Sequence, residues 1–115
     1  MNRVATLLPL ALALSVSVGS SPALATDVFW ANVSAAGKLT RGEGVSSATR
    51  QSKGAYLVAF NANVSKCNYG ISLSTYGIAF TRPAAGDATA VFIGIIDSAS
   101  EDFLDTNFYL QVICK

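Results

Sequence analysis

The chain closes on FYLQVICK, residues 108–115, and this stretch decides how the rest is read. Phe108, Leu110, Val112 and Cys114 share one parity, with Tyr109, Gln111 and Ile113 on the other. Alternation of this kind marks a half-buried β-strand, whose successive side chains leave on opposite faces. The only other cysteine is Cys67, in CNYGISL, where it shares a face with Tyr69, Ile71 and Leu73. Both sulfurs thus belong to apolar faces that point inward, where they can meet. A Cys67–Cys114 bridge closes a segment of 47 residues. In the chain-entropy model such a bridge is worth about 4 kcal/mol, against roughly 5–15 kcal/mol for a whole small domain. It also gives the last strand a tether against fraying. Two free thiols, or a bridge between chains through Cys114, are the alternatives.

Working back from the terminus, the same signature recurs at short spacing. DVFWANV (27–33), LTRGEGVSSATRQ (39–51), AYLVAFN (55–61), CNYGISLST (67–75), GIAFTR (77–82) and TAVFIGIID (89–97) read as strands. Turn-forming stretches separate them: SAAGK, SKG, YG, RPAAGD and SASEDFLDTN. In AYLVAFN, Tyr56, Val58 and Phe60 lie on one face, and Ala55 and Ala59 flank Leu57 on the other. No window carries a helical apolar stripe. The pattern predicts an all-β fold, a small antiparallel β-sandwich or barrel of about seven strands with one disulfide. AVFIGII (90–96) breaks the alternation with a continuous apolar run. It reads as a central strand covered on both faces or as a strand at a subunit contact, since left bare it would aggregate.

The other end of the chain supplies the compartment. Arg3 precedes an apolar stretch from Val4 to Val18 and a small-residue exit at Ala23-Leu24-Ala25. Together these describe a cleavable secretory signal over 1–25, too short to span a bilayer comfortably. The expected product is a single β-sandwich-like domain over 26–115, secreted or periplasmic and without a membrane span. An oxidising compartment suits the bridge. Much of the positive mean hydropathy, +0.44, belongs to the signal.

Beyond Ala25 there are seven basic and seven acidic side chains, so net charge points to no nucleic-acid partner. The positive charges cluster early, and Lys38, Arg41, Arg50 and Lys53 form a candidate basic contact surface. The chain has no histidine, which removes Ser/His/Asp and Cys/His arrangements and the common zinc sites. Carboxylates concentrate in DSASEDFLD, making Asp97, Glu101, Asp102 and Asp105 the candidate calcium ligands. That stretch lacks the central glycine and distal glutamate of an EF-hand, and reads first as a solvated acidic loop. RGEGV (41–45) lacks a third glycine and a strand-to-helix context, so it is no nucleotide loop. Trp30, Tyr56, Tyr69, Tyr76 and Tyr109 could stack on sugars, although strand aromatics more often serve the core.

FWANVSAAGKLTRGEGVSSATR, GAYLVAFNANVSKCNY and the terminal FYLQVIC resemble a module of bacterial secreted proteins. In it a Trp-Ala start, a Gly-x-Leu-x-Arg-Gly-x-Gly segment, a Gly-x-Tyr-x-Val-x-Phe strand and two cysteines recur in this order. The match is strongest before Tyr69 and weakens between Tyr76 and Asp105. The resemblance implies a β-rich fold, sometimes at the end of fibre-like chains, and brings no activity, cofactor or site. The expectation is therefore a non-enzymatic secreted or periplasmic domain without a cofactor. It would act by binding or packing against a protein or cell-surface partner, a homo-oligomer included. The alternative is a small secreted effector or inhibitor acting on an anionic surface or a foreign enzyme through the basic segment.

Overall fold

The computed structural model describes residues 26–115, so the expected signal at 1–25 lies outside the described residues. Eight strands follow one another: β1 (Asp27–Val33), β2 (Leu39–Glu43), β3 (Val45–Ser52), β4 (Ala55–Phe60), β5 (Asn68–Leu73), β6 (Ile78–Ala84), β7 (Asp87–Ile96) and β8 (Phe108–Cys114). They form two four-stranded antiparallel sheets, ordered β2-β1-β8-β5 and β3-β4-β7-β6. Each sheet keeps two free edges, so the architecture is a sandwich and not a barrel.

The expected seven strands become eight because LTRGEGVSSATRQ is not one strand. It breaks at Gly44, which sits at φ +72°, and its halves enter different sheets. A Cβ at Gly44 would stand 2.2 Å from the Phe29 ring, so only glycine lets the chain turn this corner over β1. A second crossing of the same kind, from β5 to β6, closes the opposite side. The longer crossings run over the ends, from β4 to β5 through residues 61–67 and from β7 to β8 through residues 97–107.

Parity then builds the core. Val33, Tyr56, Val58, Ile93, Leu110 and Val112 are among the side chains at 2% exposure or less. Each such residue contributes on the order of 1.5–3 kcal/mol by leaving water. Aromatic pairs stitch the layers together: Tyr56 of β4 meets Phe108 of β8 edge-on at 5.0 Å, and Phe29 of β1 meets Phe60 of β4 at 6.0 Å. Val64 plugs one end, and the Tyr69 hydroxyl donates to its carbonyl at 2.6 Å.

β7 is a central strand, hydrogen-bonded to β4 and β6. Its Val91, Ile93 and Ile95 face the core and are fully buried. The expectation that both of its faces are covered needs correcting, because among the described residues no second layer lies over the outer one. Its outward Phe92 and Ile96 are only half-buried, and Gly94 is roofed by Phe80 of its own sheet. A Cβ at Gly94 would fall 2.2 Å from that ring.

Candidate functional site

Cys67 and Cys114 form the expected disulfide, with Cα atoms 4.6 Å apart, and no free cysteine remains among the described residues. The register explains it. Asn68 faces Ile113 across β5 and β8, so the residues one step outward are the two cysteines, directly opposed and both turned to the core.

The four basic candidates do not share one surface. Lys38, Arg50 and Lys53 gather at one end of the sandwich, where the β1–β2 turn leans on β3 closely enough that a Cβ on Gly37 would lie 2.5 Å from the Arg50 nitrogen. Arg41 sits apart on the outer face of the first sheet, its guanidinium 5.6 Å above the Trp30 ring. The Arg50 charge is already answered. Its Nε donates to Asp105 Oδ2 at 3.0 Å, and Nη2 lies 2.9 Å from the same oxygen.

Asp105 Oδ1 takes a further hydrogen bond from the Gly54 amide at 2.8 Å and lies 3.1 Å from the Tyr56 hydroxyl. That hydroxyl also reaches the Ala35 carbonyl at 2.7 Å. The Arg50 hydrogen bonds, then the Gly54 amide, hold the Asp105 carboxyl down to about 2. Burial, reinforced by Asp105, pushes the Tyr56 phenol up to about 12. These opposite shifts mark a fixed structural network that keeps its protonation state across the physiological range. Asp97 is also occupied, accepting from the Ala99 and Ser100 amides at 2.8 and 3.0 Å to close its own turn. Among the described residues no three metal-ligating side chains converge, so Asp97, Glu101, Asp102 and Asp105 are not brought together around a common point. Glu101 and Asp102 are exposed in the loop.

The aromatics divide cleanly. Tyr56 is fully buried, Tyr69 is half-buried with its hydroxyl turned inward, and Tyr76 projects from the β5–β6 turn at 88% exposure. Trp30 and Tyr109 stand on the outer face of the first sheet.

A surface that sequence reasoning passed over is the outer face of the second sheet. Ile78 and Phe80 of β6 are 52% and 46% exposed, with Phe92 and Ile96 of β7 and Leu57 of β4 beside them, each half-buried. Phe80 and Phe92 lie 6.3 Å apart, and the Arg82 guanidinium covers Phe92 at 4.5 Å. Below them a hollow of about 240 Å³ runs between Gln51, Leu57, Arg82, Asp87 and Phe92. A signal for this face was present in GIAFTR. Arg82 shares the parity of Ile78 and Phe80, and a cation on that parity turns it toward water, taking the two bulky apolar residues with it. No model of a known protein family, no curated protein and no solved structure matches this chain.

Proposed function

We propose that this is an exported, non-enzymatic domain that acts by packing the outer face of its second sheet against a protein partner, a second copy of itself included. The observation that carries the reading is the exposure of Ile78 and Phe80 on a sheet that, among the described residues, has no layer above it. Contiguous apolar surface of this kind is uncommon on a solitary soluble domain and typifies interaction sites. Arg82 and Asp87 at its border supply the polar rim that such contacts use. The absence of histidine and the engagement of both cysteines in a bridge fit binding better than turnover. The other reading, action on an anionic surface, draws on Lys38, Arg41 and Lys53 alone, since Arg50 is paired with Asp105.

The test places a photo-crosslinking amino acid at position 80, and separately at 101, in the exporting host. A cross-link from 80 to a second copy or to another protein, with none from 101, is expected. No protein cross-link from 80 would overturn the reading.

A further inference from the structure

The outer face of the first sheet is built on another principle. The register sets Glu43, Trp30, Gln111 and Gly70 in one row across β2, β1, β8 and β5. Arg41, Asn32, Tyr109 and Ser72 form the next row. All leave outward, because the intervening Ala31 and Leu110 point into the core. Trp30 and Tyr109 are therefore diagonal neighbours on the two central strands, the relation that brings large cross-strand side chains within reach of each other.

Tyr109 is 45% exposed and forms a ridge between two hollows. On one side lies a hollow of about 110 Å³ bordered by Asn32, Thr40 and Asn107. On the other a groove of about 340 Å³ runs between Gly70, Ser72 and Gln111. The groove exists because Gly70 has no side chain, and a Cβ there would meet nothing within 4 Å. Among the described residues the side-chain amides of Asn32 and Gln111 and the hydroxyl of Ser72 make no hydrogen bond to protein. They are donors and acceptors presented to solvent beside two aromatic rings.

The ligand chemistry follows from that combination. A pyranose offers one face of C–H groups, which packs on an aromatic ring, and a rim of hydroxyls that each both donate and accept. Amides and a hydroxyl flanking the exposed Tyr109 ring answer both needs. A polyanion fits poorly, because Arg41 lies over Trp30 and Glu43 stands in the neighbouring strand position, leaving no net positive field. The geometry points to a binding site for an uncharged polysaccharide. Tyr109 stacks on a sugar ring, with the half-buried Trp30 beside it beneath Arg41, while Asn32, Gln111 and Ser72 take the hydroxyls. This face lies on the opposite side of the sandwich from Phe80, so it stands whether or not the second sheet packs on a protein.

Trp30 is the only tryptophan in the chain, so its emission reports this face alone. The test titrates the exported, oxidised protein with hydroxyethylcellulose, arabinoxylan, galactomannan and glycol chitin, following Trp30 fluorescence and retardation in gels containing each polymer. At least one should shift the emission saturably and retard the protein, unchanged in 0.5 M salt. Tyr109→Ala should weaken that binding about tenfold, the loss of one aromatic contact. Gly70→Leu should weaken it similarly while leaving the melting temperature intact, since it fills the groove without touching the fold. Asp102→Asn, in the exposed loop between β7 and β8, should bind as the parent does. Failure of all four polymers, binding abolished by salt, or parental binding by both Tyr109→Ala and Gly70→Leu would each overturn the assignment.

Discussion

Asp105 ties the β7–β8 crossing to the β3–β4 hairpin: its carboxylate takes hydrogen bonds from Arg50 in β3 and Gly54 in the next turn, and lies against the Tyr56 hydroxyl of β4. Because folding holds this carboxyl at about 2 against an ordinary 3.8, its contribution is present in full above the ordinary value and disappears as pH falls toward 2. Arg50 is 37% exposed, so solvent screens the pair and its contribution is modest. Asp105→Asn should therefore lower the melting temperature at neutral pH, and the gap from the parent should close between pH 4 and pH 2. Asp87 and Asp97 are also held low by hydrogen bonds within their own turns, but they are common to both proteins and cancel in the difference. A gap independent of pH would assign Asp105 a role through shape alone. Gly44 makes a second residue-scale case. A methyl there meets both a positive φ and the Phe29 ring, so Gly44→Ala should cost about 2–4 kcal/mol by urea denaturation, an unusually large penalty for so small a change.

The β6–β7 pair shows what alternation carries and where it stops. AYLVAFN and FYLQVIC were legible because one parity is bulky or apolar throughout while the other is interrupted by Ala55 and Ala59, or by Gln111, so the uninterrupted face is the one to bury. The bridge was legible for the same reason, parity having put both sulfurs inward. AVFIGII was not fully legible, since a run apolar at every position names no outer face. Only pairing with β6 reveals that Phe92 and Ile96 face outward and that Phe80 roofs Gly94. The Gly44 corner was hidden as well, because a glycine between two polar strand segments reads equally as a bulge. The two outer faces needed neighbours in space: Tyr109 and Trp30 are 79 residues apart in sequence, and only the β1–β8 register makes them diagonal. Parity now yields an opposed pair of charge substitutions. Ile93→Asp puts an unpaired carboxylate into a fully buried site, a cost of several kcal/mol, and should give insoluble or unfolded protein. Phe80→Asp, outward on the same sheet, should shift the urea midpoint by the equivalent of about 1 kcal/mol or less and raise solubility. Equal behaviour of the two in a soluble-expression and urea-midpoint assay would contradict the assigned faces.

Across the whole molecule the disulfide divides the chain into unequal mechanical halves. Residues 67–114 hold β5 to β8 inside one covalent ring, whereas β1 to β4 are held by packing and hydrogen bonds alone. Within that ring β5 is the vulnerable element. It is an edge strand of the first sheet, paired only with β8, and its exposed positions include Gly70, which contributes no side-chain packing. β8, by contrast, is clamped between β1 and β5. Opening the bridge should therefore remove about 4 kcal/mol of chain-entropy stabilisation globally, and the local loss should concentrate in β5. In hydrogen exchange, a Cys67→Ser/Cys114→Ser double variant should lose protection first at Tyr69 to Leu73, while β4 and β7, central in the other sheet, keep exchange rates set by global unfolding. Because β5 supplies Gly70 and Ser72 to the groove beside Tyr109, polysaccharide retention should decline with β5 protection, before the melting transition is reached. Uniform loss of protection across both sheets would show instead that the two sheets open as a single unit, with the bridge acting on their common stability and not on its own edge.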